Sequence, residues 1–111
     1  MRAYTIDQLT EQDVAAIAGR LTDMELQGGV EGIFWLPVPG NFLTPLQQEH
    51  EETCGPYCLA LDLEGSALQL ELLVRGKGRI SCGCISFASV ELRNHMIGFV
   101  EDMLRELEVV F

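Results

Sequence analysis

The sequence predicts an α+β domain in which an antiparallel sheet of three to four strands is packed against helices. Three features predict it: alternation of apolar and polar residues between Tyr57 and Ala88, an apolar repeat of helical spacing on each side of that stretch, and short glycine-containing turns. With 111 residues the chain is long enough for one core and short for two. We therefore expect a single domain over residues 1–111.

The N-terminal region predicts an amphipathic helix that begins after Thr10. Thr10 and Asp13 have the spacing of a capping box, in which each side chain bonds to the other residue's backbone. The apolar residues that follow recur on one helical face: Val14, Ile17, Ala18 and Leu21. The glycines at 28–29 should end this helix near Leu26.

An edge strand and a short helix are predicted next. Residues 31–38 are rich in strand formers, but Pro37 cannot donate a ladder hydrogen bond, which is typical of an edge strand. Thr44 is suited to the N-cap of a short middle helix over about residues 45–53. This helix must stop before Pro56, which lacks an amide donor and restricts the residue preceding it.

The alternating stretch predicts a three-stranded meander with two tight turns. The first turn, at Gly65 and Ser66, sets four pairs: Leu63 with Leu68, Leu61 with Leu70, Leu59 with Leu72, and Tyr57 with Val74. The second turn, through residues 76–78, sets four more: Val74 with Ile80, Leu72 with Cys82, Leu70 with Cys84, and Leu68 with Ser86. This register places Cys82 and Cys84 in the core, beside Leu72 and Leu70. A slip of one residue would move every side chain to the opposite face, so the apolar pattern favours this register.

A long C-terminal helix should cover the sheet. Ser89 is a suitable N-cap, and Glu91 in the first turn interacts favourably with the helix dipole. The apolar stripe of this helix comprises Leu92, Met96, Phe99, Val100, Met103 and Leu107.

The charge of the chain disfavours two classes of partner. Seventeen acids against seven bases give a formal net charge of −10, which repels the phosphates of nucleic acids and of anionic membranes. The sequence also lacks an apolar stretch long enough to cross a bilayer, and its first residues lack the apolar core of a signal peptide. We therefore expect a cytoplasmic protein with a protein partner or self-association, without nucleic acid or membrane.

The residues with metal-ligand chemistry are His50, Cys54, Cys58, Cys82 and Cys84. Thiolates and imidazole are the ligands of tetrahedral zinc sites. The predicted register, however, places Cys58 on the opposite face of the sheet from Cys82 and Cys84. Buried cysteines acting as apolar filler are therefore one interpretation and a zinc site the alternative, with Cys82 and Cys84 included only if the register fails there.

Cys54 and Cys58 also suggest a thiol-redox pair. The familiar redox motif has two intervening residues and begins a helix, whereas here three intervene and the second cysteine enters a strand. Neither His50 nor His95 has a partner placed by a catalytic motif, so the sequence predicts no catalytic residues. The segment 75–79 contains glycines and bases but matches no phosphate-binding motif, which favours a hairpin tip.

Several apolar residues of the predicted sheet are candidates for an interface: Phe34, Trp35, Leu73, Ile85 and Phe87. Aromatic residues are enriched at the centres of protein contacts, although they also fill cores. The leading hypothesis from sequence is thus a small acidic protein-binding module without catalysis and without a cofactor. A homodimer is one form that such a module could take. The alternative is a zinc-binding or thiol-redox protein.

Overall fold

A computed structural model describes residues 1–79 and 81–111. These residues form an α+β fold with a six-stranded antiparallel sheet and four α helices. The strands are β1 (Ala3–Ile6), β2 (Ile33–Pro37), β3 (Tyr57–Glu64), β4 (Ala67–Glu71), β5 (Leu73–Gly76) and β6 (Ser86–Phe87). The helices are α1 (Glu11–Asp23), α2 (Pro45–Glu49), α3 (Glu51–Cys54) and α4 (Val90–Glu106), with a 3-10 turn at Gly40–Phe42. The predicted class is confirmed, but the predicted number of strands is too low.

β3 is the central strand of the sheet. β2 pairs with one edge of β3, while β4 and β5 follow one another along the other edge. β1 lies outside β4, and β6 lies outside β5. β1 has four residues, too few for its alternation to stand out, and the sequence analysis missed it.

The first predicted turn is correct, and the register changes only beyond it. Leu63 pairs with Leu68 and Leu61 with Leu70, as predicted, and Gly65 in the turn has a positive φ of 60°. Tyr57 pairs with Gly76, however, so the predicted pairing with Val74 is wrong. The predicted pair of Leu59 with Leu72 is absent from the ladders of β3.

Leu72 causes this change, because it lies between β4 and β5 and bonds to other segments. Its amide donates to the Arg2 carbonyl at 3.0 Å, and its carbonyl accepts from the Ala88 amide at 2.7 Å. The shift amounts to two residues, so each side chain keeps its face of the sheet.

The second predicted hairpin is wrong. The edge of β4 that a third strand would need is already taken by β1, which pairs Tyr4 with Leu70 and Ile6 with Leu68. The predicted pairs of Leu72 with Cys82, Leu70 with Cys84 and Leu68 with Ser86 therefore do not form. β6 instead pairs Ser86 with Val74 and Phe87 with Leu73. The predicted pair of Val74 with Ile80 lies outside the described residues.

All three predicted helix starts are confirmed. Thr10 and Thr44 each form a capping box, and the Ser89 hydroxyl accepts from the Leu92 amide at 3.1 Å. α1 ends at Asp23, three residues before the predicted end. The middle helix divides at His50 into α2 and α3, the second of which ends at Cys54.

One face of the sheet and two helices share the core. The sheet contributes Phe34, Leu36, Tyr57, Leu59, Leu61, Leu68, Leu70 and Val74, and Leu72, between β4 and β5, packs with them. α1 contributes Ile17 and Leu21, and α4 contributes Leu92, Met96, Val100, Met103 and Leu104. The helices therefore cover this face, while Trp35, Asp62 and Gln69 alternate onto the other. Among residues 1–79 and 81–111, no helix has both the length and the apolar character needed to cross a membrane.

The Tyr4 hydroxyl ties β1 to α4 by donating to the Glu101 carboxylate. Burial, followed by this carboxylate, raises the pKa of Tyr4 to about 12. Because the pKa of Tyr4 is higher in the folded state, its contribution to the free energy of unfolding is complete below pH 10, near the pKa of the unfolded chain. This contribution is lost as pH rises through 12. We expect Tyr4→Phe to lower the free energy of unfolding at pH 7 by about 1 kcal/mol.

Denaturant unfolding between pH 7 and pH 11 checks this prediction. The wild type should lose stability above about pH 10, and Tyr4→Phe should lose less over the same interval. An identical alkaline decline in the two proteins would contradict the assignment to Tyr4.

Candidate metal centre

His50 and Cys54 lie one helical turn apart at the break between α2 and α3. The Cys54 amide donates to the His50 carbonyl at 2.7 Å, which closes that turn. Residues four apart on a helix point to the same side, so the imidazole and the thiol face one region. The kink at His50 and the stop before Pro56 thus leave two metal-ligand side chains at the end of a short helix.

Cys82 and Cys84 lie in a turn and not in the predicted strand. The Ile85 amide donates to the Cys82 carbonyl at 3.1 Å, which reverses the chain around Gly83. In an extended strand, side chains two residues apart would be separated by about 7 Å. The turn instead brings both sulfurs toward the His50 region.

The four side chains form a compact cluster of ligand atoms. One imidazole nitrogen and three sulfurs, from His50, Cys54, Cys82 and Cys84, all lie within 4.8 Å of one another. His50 Nδ1 lies 3.2 Å from Cys82 Sγ. A tetrahedral zinc ion with Zn–S bonds of about 2.3 Å holds its ligand atoms about 3.7 Å apart. Only small side-chain movements therefore separate the cluster from that geometry.

Cys58 is not part of the cluster. It follows Tyr57 on β3, so its side chain points to the face of the sheet opposite the core, where it is 3% exposed. Its sulfur lies 3.9 Å from the Arg75 carbonyl oxygen. Of the five residues that the sequence singled out as metal candidates, the structure thus brings together four. The thiols beside Cys54 belong to Cys82 and Cys84, which are distant in sequence.

Two residues that the sequence analysis did not assign to a site support the cluster. Gln47 is 1% exposed and donates from Nε2 to the Cys84 carbonyl at 3.0 Å. The Tyr57 hydroxyl donates to the Gln47 carbonyl at 2.8 Å and lies 3.5 Å from Cys84 Sγ. Gln47 also completes the capping box of α2 with Thr44. The one sequence feature that could have indicated this support is Tyr57, because the hydroxyl of a buried tyrosine needs a hydrogen-bond partner.

The thiols of the cluster differ in acidity. Burial, followed by hydrogen bonds with Cys82 and Cys84, raises the pKa of Cys54 to about 11. A hydrogen bond with the Cys84 backbone, followed by one with the His50 side chain, lowers the pKa of Cys82 to about 6. Burial is also the main reason that the pKa of Tyr57 is raised. The half-buried Cys82 therefore ionises more readily than the buried Cys54.

Two glycines hold the Cys54 end in place. The Gly78 amide donates to the Cys54 carbonyl at 2.9 Å. A Cβ atom at Gly76 would lie 2.3 Å from the Cys54 carbonyl oxygen, and one at Gly78 would lie 2.4 Å from that of Thr53. Residues 76–78 therefore pack on the backbone of α3 at a distance that only glycine permits.

The predicted interface residues lie on both sides of the sheet. Phe34 is in the core at 5% exposure, and Ile85 packs against the core. Trp35 and Leu73 are half-buried on the other face. Phe87, paired with Leu73, is 41% exposed, with the Arg2 guanidinium 4.4 Å above its ring.

The fold and the cluster together define a class: a small acidic α+β protein with three cysteines and one histidine gathered beside the sheet. Comparison with known proteins adds no particular relative. No protein-family model matches the chain, nor does any curated protein or solved structure.

Proposed function

We propose that this chain is a zinc-binding protein with His50, Cys54, Cys82 and Cys84 as the ligands. The observation that carries the proposal is the convergence of these four ligand atoms within 4.8 Å. The residues come from two segments whose nearest members, Cys54 and Cys82, are 28 positions apart in sequence. Local chain geometry alone does not bring such residues together.

The ligand types favour zinc over other common ions. Three thiolates and an imidazole match the tetrahedral Cys₃His set of structural zinc sites. Magnesium and calcium prefer oxygen ligands, and the cluster contains no carboxylate. The net charge of −10 and the exposed acids Glu49, Glu51 and Glu52 also favour the approach of a cation.

The proposed role of the zinc ion is structural. Four protein ligands fill a tetrahedral shell, whereas catalytic zinc sites keep one position for water or substrate. The ion would link the end of α3 to the turn at 82–85, which has only two residues of regular strand after it, in β6. A protein-binding role stays a prediction, with Trp35, Leu73 and Phe87 as contacts on the face that α1 and α4 leave uncovered.

Cobalt substitution tests the proposal, because Co²⁺ in a tetrahedral thiolate site absorbs strongly in the visible and near-ultraviolet range. We expect one Co²⁺ per chain, with a spectrum of tetrahedral thiolate ligation, and its displacement by one equivalent of Zn²⁺. Cys54→Ser and Cys84→Ser should each abolish this spectrum or weaken metal binding by about tenfold or more.

Cys58→Ser is the matched control, since Cys58 is equally buried and lies outside the cluster. It should keep both the spectrum and the stoichiometry. The proposal is wrong if the wild type shows no thiolate-to-cobalt absorption, or if Cys58→Ser loses it as completely as Cys84→Ser.

A further inference from the structure

A cavity of about 460 Å³ opens on the face of the sheet that α1 and α4 leave uncovered. It lies between the segment after α1, at residues 27–29, and strands β2 and β5. Cavities of roughly 300 to 1,000 Å³ are typical of small-molecule sites. None of the four clustered ligands lines this cavity.

The walls of the cavity have the opposite charge to the rest of the protein. The described residues that line it include Arg75 and Lys77, two of the seven bases in the chain, and no acid. Arg75 pairs with Glu71, its Nε lying 2.6 Å from a carboxylate oxygen, but Glu71 does not line this cavity. A smaller adjoining cavity, which shares Trp35 and Lys77, does include the acid Glu25.

The remaining walls consist of Trp35, Cys58, the uncharged polar residue Gln27 and three glycines. Trp35 is half-buried and contributes its indole, which packs so closely on Gly28 that a Cβ there would lie 2.5 Å from Nε1. Cys58 forms part of the lining and is 3% exposed. Burial raises the pKa of Cys58, and the neighbouring charges of Lys77 and Arg75 partly offset this increase. An aromatic surface beside two cations suits a ligand with a flat ring and a negative group.

We propose that this cavity binds a small aromatic anion, whose ring packs on Trp35 and whose charged group pairs with Lys77 and Arg75. Lys77 is the exposed cation at the cavity and supplies the more accessible charge, while Arg75 is held in place by its ion pair with Glu71. Because the excess of acids repels anions from the protein as a whole, binding in this cavity depends on the charge of these two cations.

Fluorescence provides a direct test, because Trp35 is the only tryptophan of the chain. The full chain as purified is titrated with phenyl phosphate, and with benzyl alcohol as a neutral probe of similar size. We expect saturable quenching by phenyl phosphate, competition by benzoate, and no saturation by benzyl alcohol in the same range.

Lys77→Gln should weaken phenyl phosphate binding by about fivefold, the effect of one exposed ion pair. The matched control is Arg79→Gln. Arg79 is two residues from Lys77 and carries the same charge, but its side chain does not line the cavity. Both side chains are exposed, so both variants should fold, which circular dichroism checks.

Three results would overturn the proposal. They are an absence of saturable quenching by phenyl phosphate, equal binding of benzyl alcohol, and equal weakening by Arg79→Gln and Lys77→Gln. Each shows that Trp35 and Lys77 do not form a site for an aromatic anion.

Discussion

Zinc at a free concentration about a thousand times its dissociation constant is expected to raise the free energy of unfolding by about 4 kcal/mol. For a chain of this length, that corresponds to an increase of roughly 15 °C in Tm. The reason is that the ion binds only the folded arrangement, in which His50 and Cys54 meet Cys82 and Cys84. In the unfolded chain these two segments do not meet, so the four ligands do not form one site.

The apolar core does not itself depend on the metal. The central side chains Leu59, Leu61 and Leu70 are fully buried, and of the four proposed ligands only Cys54 and Cys84 belong to the buried core, which otherwise consists of side chains that bind no metal. We therefore expect the metal-free protein to remain folded with a lower Tm. Thermal unfolding measured with added zinc and with excess chelator gives the difference directly.

Two cysteine variants make this measurement specific. Cys84→Ser should unfold at the same temperature with zinc and with chelator, because it lacks a buried ligand. Cys58→Ser should retain the full zinc-dependent increase. A wild type with equal Tm values in zinc and in chelator would contradict a structural zinc site.

Gly76→Ala is expected to lower the free energy of unfolding by about 3 kcal/mol or more, the upper part of the range for overpacking. The added Cβ would lie 2.3 Å from the Cys54 carbonyl oxygen. Both atoms are fixed to backbone, so no side-chain rotation relieves the overlap. Either β5 or the Cys54 turn must move, and metal binding should weaken as well.

Gly83→Ala is the control, although it stands between two proposed ligands. Nothing lies within 4 Å of a Cβ at this position, and its φ is not in the left-handed region. An alanine there should change stability by about 0.5 kcal/mol or less and leave the metal stoichiometry unchanged. Chemical denaturation and cobalt titration of both variants check the pair. A Gly76→Ala protein as stable as Gly83→Ala would show that the close packing on Cys54 is not rigid.

Local signals predicted the local features of the fold. Thr10, Thr44 and Ser89 each begin a helix because their side chains bond to amides three residues on, and no distant residue is needed. Pro56 ends α3 for an equally local reason. The turn at Gly65 set the first hairpin register, since two residues leave no freedom in the pairing beside it.

The register failed where distant segments compete for one strand edge. Residues 79–88 and β1 are both suited by sequence to pair with this edge of β4, because both offer backbone groups and apolar side chains. The structure gives that edge to β1, and residues 82–85 form a turn. Because β1 occupies this edge, Cys82 and Cys84 lie in a turn and not in the predicted strand. Their sulfurs therefore lie close to that of Cys54.

The amino-acid sequence alone determined the α+β class, the helix starts, the first hairpin and the five residues able to bind a metal, because each depends on residue type or on neighbours within a few positions. The tertiary structure alone decided which four of those five converge, and that Gln47 and Tyr57 support them. Convergence depends on which segment occupies each edge of the sheet. That choice is settled by the packing of the whole core and is not encoded in the spacing of the cysteines.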